Sequence, residues 1–552
     1  MGDPPIPAHP ASATYEHLRA AFRWQLPRQF NIAVACADGQ PAEALALVTL
    51  GVNGSRREYT FGQVAELSSR FANSLRALGI QAGDRVGIVL PQRVETPVGH
   101  LAAYKLGAVA VPMSVLFGPD AIRHRLGDSG ARAVVTDAAR LERVAEVAAE
   151  LGGIEVIVVD PPAHPPHHDF WELLRKGSPQ LEPAATEPDA PALIIYTSGT
   201  TGPPKGALHG HRVLLGHRPG FVLSHDHFPQ EGDRFWTPAD WAWIGGLMNS
   251  LLSAWLHGRP IVGALREGGF DPEWAADLVE RHGVRNTFVP PTALKMMRKA
   301  GVNVTPGALR TVMSGGEVLG EETLAWAREH LGVTVNEIYG QTEANYIVGN
   351  SQSVWEVRPG SMGRPYPGHE VAVVGDDGRP LPAGEVGELA VRVPDPVVFL
   401  GYWQRPEATR EKVPDEWLRA GDLAESDEDG YLWFRGRVDD VISSAGYRIG
   451  PEEIEQCLLR HPAVALSAVI GVPDEVRGQV VKAFVQPVAD AQPSDALARE
   501  IQEFVRARLA AYEYPRDVEF VDEVPLTVTG KIRRADLRRI EEERRTEGRP
   551  AT

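Results

Sequence analysis

Short β-branched runs alternate with amphipathic stretches along most of the chain, and few folds admit that rhythm. The runs fall at residues 85–90, 133–135, 154–159, 193–195 and 287–289, with helical patterns such as 321–331 between them. Strands alternating with covering helices predict an α/β architecture of parallel, helix-covered sheets. Ligands of such sheets gather beyond the carboxyl ends of the strands. The texture changes after about Gly360. Residues 371–374 and 388–393, with Asp376, Asp377 and Gly378 between them, read as antiparallel strands joined by turns. Beyond Ile449 come a proline-started helix at 451–455, strands at 468–471 and 480–485, a helix at 497–509 and a last strand at 518–521. That is a compact α+β unit of about 110 residues, large enough to be a domain.

One stretch breaks the rhythm. After the apolar run 192–195 the chain reads Tyr196, Thr197, Ser198, Gly199, Thr200, Thr201, Gly202, Pro203, Pro204, Lys205, Gly206. Glycines let a backbone take positive φ and approach a ligand closely. Successive N–H groups in such a loop form an anion-binding concavity, and Lys205 adds charge. The set suits a polyphosphate. It is not a Walker A loop, which ends in Gly-Lys-Ser/Thr. A plain surface loop is the other reading, but two prolines directly after a buried strand argue against it.

Bulk properties narrow the function. A formal charge of −17 argues against a nucleic-acid footprint, which needs a basic surface, and leaves room for a local basic patch that binds an anion. The 43% apolar content supports a full core. The two cysteines, Cys36 and Cys457, form neither a CxxC nor a zinc spacing and fit a reducing cytoplasm. Residues 1–11 lack the basic start and apolar run of a signal peptide. No stretch reaches the ~18 apolar residues of a membrane span. His164, His167 and His168 sit in a proline-rich tract read as surface loop, and His209 with His211 is too few ligands for structural zinc.

Five more stretches join the glycine-hydroxyl loop, in this order: Ser314, Gly315, Gly316 and Glu317; Glu337, Ile338, Tyr339, Gly340, Gln341, Thr342 and Glu343; Arg419, Ala420, Gly421 and Asp422; Gly436, Arg437, Val438, Asp439, Asp440, Val441 and Ile442; and Thr529, Gly530 and Lys531. Together they resemble the adenylate-forming superfamily of acyl-CoA synthetases, adenylation domains and luciferases, over residues 59–534. Within it, 447–451 and 476–484 look most like the medium-chain acyl-CoA synthetases. The resemblance implies a large N-terminal domain, residues 1–438, of helix-covered β-sheets plus a distorted β-barrel. A small mobile α+β domain, residues 439–552, would turn about a hinge at Asp439. It also implies ATP, Mg²⁺ and coenzyme A. A carboxylate would attack the α-phosphate of ATP, and a thiol would then displace AMP. The first step brings two anions together, so positioning and charge neutralisation should dominate catalysis.

By the same resemblance, Thr197, Ser198, Gly199, Thr200, Thr201 and Gly202 hold the β- and γ-phosphates, with Lys205 supporting the loop. Thr342 touches the α-phosphate. Glu343 holds Mg²⁺, a cation that takes oxygen ligands, with Thr197 as a second candidate ligand. Gly315, Gly316, Glu317, Glu337, Ile338, Tyr339 and Gln341 frame the adenine side. Asp422 accepts from ribose hydroxyls, and Arg437 reaches ribose or phosphate. Lys531 bridges the substrate carboxylate and the α-phosphate, then leaves as Gly446 comes in to line the pantetheine channel. Arg448, Arg477 and Lys482 are candidates for the CoA phosphates. The motif around Lys531 also matches one at which acetylation silences some members, which would make a protein acetyltransferase a partner.

The acid pocket is expected from residues 239–247, with Trp241, Trp243, Gly245 and Gly246, and from Gly340. Acetyl-CoA synthetases carry a tryptophan where Gly340 stands, so the expected acid is larger than acetate: short-to-medium-chain, branched or aromatic. Gly245 and Gly246 would widen the site, and Trp241 would refill part of it. Two other readings stay open, an adenylating enzyme that loads a carrier protein and a non-catalytic nucleotide-binding protein. Self-association as a homo-oligomer is one on which the sequence is silent.

Overall fold

The computed structural model describes residues 14–160, 167–197, 203–266, 268–317, 319–440, 442–444, 447–474, 478–509, 513–527 and 530–546. They form two compact units. The first holds Met1–Ser198, Pro204–Val371 and Val391–Leu418, and the second chiefly Ala372–Ala390 and Arg419–Thr552.

Two large sheets make the first unit. Among the described residues one has eight strands and the other nine. The strand Arg85–Val89 lies parallel between Val109–Pro112 and Ala131–Asp137. Its apolar run is continuous rather than alternating because both faces are covered. The strand Pro191–Thr197 continues this parallel array beside Val109–Pro112. Its other neighbour, Lys205–Gly210, runs antiparallel, with Thr197 opposite Lys205. Thr197 and Lys205 therefore face each other where the two strands of a hairpin end. Beyond it, Gly401–Tyr402 pairs antiparallel with Lys205–Gly210.

In the nine-stranded sheet, Thr311–Gly315 lies parallel between Asn286–Phe288 and Val335–Gln341. The chain then doubles back as Ala344–Gly349. The expected helix at 321–331 is two pieces, an α-helix Glu321–Trp326 and a π-helical turn Ala327–Leu331.

The second unit carries most of a four-stranded sheet, Val371–Val374, Val386–Arg392, Trp417–Ser426 and Leu432–Arg437, whose last two strands pair antiparallel, and a five-stranded sheet. In the latter, Val464–Asp474 pairs antiparallel with Gly478–Pro487, and Asp517–Phe520 joins that strand parallel. The helices Pro451–Leu458 and Asp495–Arg506 bury Ile454, Cys457, Ile501 and Val505 against Ile442, Val469 and Val485. Ile501 and Val505 stand one turn apart on one face, and the Ser494 side chain caps that helix by accepting from Leu497 N–H. Among the described residues no helix is long and apolar enough to cross a membrane, and no group of three or more His, Cys, Asp and Glu is placed to hold a metal ion by protein ligands alone.

Candidate active site

In the first unit the site is organised by two hairpins. The strand Val335–Gln341 turns into Ala344–Gly349 with Gln341 opposite Ala344, so Thr342 and Glu343 are the two residues of a tight turn. Glu343 is 7% exposed. Its carboxylate accepts from the Tyr402 hydroxyl at 2.5 Å, and its carbonyl accepts from Phe399 N–H at 2.8 Å. Tyr402 lies on the short strand paired with Lys205–Gly210, opposite Ala207. The Lys205 ammonium sits over the Tyr402 ring, 5.3 Å from its centre. Tyr402 thus joins the exit of the glycine-hydroxyl hairpin to the buried carboxylate. No sequence signal singles it out, because its partners lie 59 and about 195 residues away. Thr197 ends its strand, its hydroxyl 3.5 Å from the Lys205 carbonyl. Ser198, Gly199, Thr200, Thr201 and Gly202 lie outside the described residues.

The neighbouring strand end carries the residues expected on the adenine side. Ser314 pairs with Glu337 and Gly315 with Ile338. A Cβ on Gly315 would meet the Ile338 carbonyl at 2.5 Å, so two backbones lie flush here. Gly316 takes φ +101° with open space where a Cβ would stand. Thr292 donates to Glu317 at 3.2 Å. Tyr339 and Gln341 follow on the same strand. Glu337 accepts from Leu319 N–H at 3.1 Å, while its other oxygen is buried without a hydrogen-bond partner among the described residues.

Burial pushes the Glu337 carboxyl up to about 8 from its usual 4.5, against smaller opposing effects from Leu319 N–H and Lys295. Folding therefore favours the protonated acid. The stability this gives is complete below the unfolded value and is lost as pH rises through about 8. Glu337→Gln cannot ionise. Its unfolding midpoint should match wild type near pH 4 and exceed it by several degrees at about pH 9. A gap that does not change with pH would rule this out.

The acid-pocket glycines correct the sequence reading. A Cβ on Gly246 would lie 2.2 Å from the Asp240 carbonyl oxygen, and one on Gly245 would lie 2.7 Å from the Phe288 ring. Neither glycine opens space, since backbone and aromatic ring already occupy it. Gly340 is similar. The β-ladder shifts register there, and Tyr346 opposite adopts φ +65°. A Cβ on Gly340 would meet Tyr346 N at 2.4 Å and Asn345 Cα at 2.8 Å. The bulge itself requires glycine. Trp241 is fully buried with its ring against Gly263, whereas Trp243 is half-buried and edge-on to Phe117 at 5.7 Å. The chain then enters a π-helix, Leu247–Leu252, a form concentrated at functional sites. His209 and His211 are buried, and burial drops them to about 3 and about 4, which makes them neutral core residues.

In the second unit Asp422 and Arg437 stand opposite each other on adjacent strands, 3.5 Å apart. Gly421 precedes Asp422 at φ +76°, and its N–H donates to Glu388 at 2.8 Å. Lys531 is exposed at the end of a tight turn. Its N–H donates to the Thr527 hydroxyl at 3.0 Å, and its carbonyl accepts from Thr527 N–H at 2.7 Å. Gly530, at φ +88°, makes that turn. Gly446 and Arg477, and the side chains of Asp439 and Arg448, lie outside the described residues. Lys482 is a correction: it is 1% exposed and bound by Glu519 at 2.9 Å, Glu541 at 3.0 Å and Asp517 at 3.2 Å. Burial opposes its charge, but the carboxylates win and raise its pKa. It holds the fold together and is not available to a CoA phosphate.

The donor set fits Mg²⁺ with a triphosphate. The Glu343 carboxylate is a hard oxygen ligand, and Mg²⁺ is bound by one or two carboxylates completed by phosphate oxygens.

A sequence profile described as AMP-binding enzyme matches residues 34–403, and one described as AMP-binding enzyme C-terminal domain matches residues 453–531. Acetyl-coenzyme A synthetase of Bacillus subtilis is 36% identical over 492 residues, 87% of this chain and 85% of its own. Human mitochondrial acyl-coenzyme A synthetase ACSM4 is 34% identical over 532 residues, 93% of this chain and 91% of its own. The crystal structure of a benzoate CoA ligase from Burkholderia xenovorans LB400 is similar with a TM-score of 0.79 and 30% identity, covering 92% of this chain and 100% of that one.

Proposed function

The chain belongs to the AMP-binding enzymes, as an AMP-forming acyl-CoA synthetase of the adenylate-forming superfamily, and from that premise we propose which residues perform each part of the reaction. The reaction is ATP-dependent ligation of a carboxylic acid to CoA through acyl-AMP. The acid's oxygen attacks the α-phosphorus, and the bond to the bridging oxygen of pyrophosphate breaks. The CoA sulfur then attacks the acyl carbonyl, and AMP leaves with the bonding pair.

Thr342 contacts the α-phosphate and Glu343 holds Mg²⁺. The ion, when bound, supplies positive charge to the phosphate oxygens. The observation that carries this division is the two-residue turn: adjacent residues fix the spacing between the α-phosphate and the cation. Tyr402 orients the Glu343 carboxylate, and Thr197 with the loop to Lys205 holds the outer phosphates. The flush strands at Gly315 and Ile338 give a flat floor for the adenine ring, beside Gly316, Glu317, Glu337 and Tyr339. Asp422 and Arg437 serve the ribose, and a carboxylate can accept both hydroxyls. Lys531 neutralises charge between the acid and the α-phosphate, and the small domain turns about Asp439 between the two steps. Its exposure also supports acetylation as a control on activity. The free, buried cysteines support a reducing compartment, the cytoplasm.

The acid is larger than acetate. Gly340 supports this in a way the sequence did not suggest: the bulge leaves no room for a side chain that would wall off the pocket. Trp243, Phe117 and Phe288 offer aromatic surface instead. Carboxylate-dependent exchange of labelled pyrophosphate into ATP, over acids from acetate to octanoate with isobutyrate and benzoate, tests the size. A maximum above acetate is expected, and a maximum at acetate overturns the reading. AMP release that accelerates on adding CoA separates this enzyme from one that loads a carrier protein.

A further inference from the structure

Behind the Lys531 turn lies a buried ionic cluster that the reaction as described does not use. Leu526 bridges Ile532 across the turn, and Arg533 N–H donates to the Pro525 carbonyl at 2.9 Å. The next residue, Arg534, begins the helix Arg534–Thr546 and is 9% exposed. Its guanidinium grips Glu455 with two bonds, Nε to Oε1 at 3.1 Å and Nη2 to Oε2 at 2.6 Å. Its third nitrogen, Nη1, donates to Asp440 at 2.9 Å, and Glu452 lies 3.3 Å from Nη2. Arg538, one turn along, donates to the other oxygen of Asp440 at 2.8 Å. Glu455 also accepts from Val469 N–H at 2.7 Å, which roots the cluster in the strand Val464–Asp474 of the five-stranded sheet. Asp440 closes the short helical turn Val438–Asp440, directly after Arg437.

We propose that Arg534 is a positioning residue for Lys531: its grip on Asp440 and Glu455 makes the lysine turn and the end of the hinge turn one rigid piece. The chemistry favours arginine. The planar fork grips both oxygens of Glu455 and still has a third nitrogen for Asp440, a fixed bidentate geometry that the point charge of an ammonium does not offer. Arg534 lies three positions after Lys531, and Asp440 three positions after Arg437. The buried guanidinium is the short path between the two candidate catalytic cations of this unit. A hinge ends where the chain becomes fixed to the moving body, and Asp440 is fixed to it by Arg534 and Arg538. Rotation at Asp439 then reaches Lys531 without slack.

This inference rests on the reading of Lys531 as the adenylation lysine, so both are tested together. The two half-reactions are measured separately in the full-length chain: pyrophosphate exchange for adenylation, and thioester formation from a supplied acyl-adenylate. Arg534→Gln is expected to slow exchange about 10²-fold, the cost of an ångström of misplacement, while thioester formation stays within a few-fold. Arg534→Lys, which keeps the charge without the fork, should recover only part of the exchange rate. Should Arg534→Gln fail to fold, Asp440→Asn and Arg538→Gln each cut one arm of the cluster and are judged by the same split. Equal loss in both half-reactions, or exchange unchanged in the folded variants, overturns the proposal. Lys531→Ala is the control. If it loses exchange and the cluster variants do not, positioning fails alone. If it keeps exchange, the reading of Lys531 fails first.

Discussion

Lys531→Ala is expected to slow acid-dependent pyrophosphate exchange about 10³-fold, roughly 4 kcal/mol of transition-state stabilisation. Thioester formation from a supplied acyl-adenylate should change no more than a few-fold. The selectivity follows from charge. Adenylation drives a carboxylate onto a polyphosphate, and a preorganised cation between the two is worth most while the bond forms. In the second step the nucleophile is a thiol and the electrophile a mixed anhydride, so that cation has no comparable work. The position is suited to a clean experiment. Lys531 is exposed, and its turn is held by backbone and Thr527 contacts that alanine preserves. Unfolding midpoints should therefore match. Parallel losses in both steps with matched midpoints would sink the assignment.

Glu343→Gln is the second large effect, with exchange reduced about 10²-fold or more at ordinary Mg²⁺. The amide keeps the size of the carboxylate and can still accept from Tyr402, so the turn should survive. It is also held through the Glu343 carbonyl, which accepts from Phe399 N–H. What disappears is the charge that a hard cation requires. Two readouts check this. The Mg²⁺ concentration for half-maximal exchange should rise several-fold, and the thermal shift given by ATP with Mg²⁺ should shrink toward that given by ATP alone. An unchanged Mg²⁺ requirement would move the metal ligand elsewhere.

Much of this was legible in the sequence. The strand pattern at 85–90 and 154–159 is local, and the structure places strands at Arg85–Val89 and Glu155–Val159. The motifs 314–317 and 337–343 are contiguous, and pairing of two neighbouring parallel strands brings them together. The misses are tertiary. Lys482 looks like a free cation until Asp517, Glu519 and Glu541 arrive from two later elements. Tyr402 and Arg534 act through partners 59 and 94 residues away. Gly245, Gly246 and Gly340 were read as empty space, because sequence shows a missing side chain but not what lies where it would point.

The bulge at Gly340 also bears on how such an enzyme can change its diet. Tyr346 holds the kink in a left-handed conformation that costs a non-glycine residue about 1–2 kcal/mol. Gly220 makes room for its ring, since a Cβ there would lie 2.2 Å from Cδ1. Residues 220, 340 and 346 therefore form an epistatic trio. A lone substitution at 340 is penalised in the backbone before it meets any acid, so selection cannot sample it one step at a time. A directed-evolution library that varies 340 alone should therefore return chiefly destabilised protein, whereas one that varies 220, 340 and 346 together can relax the kink.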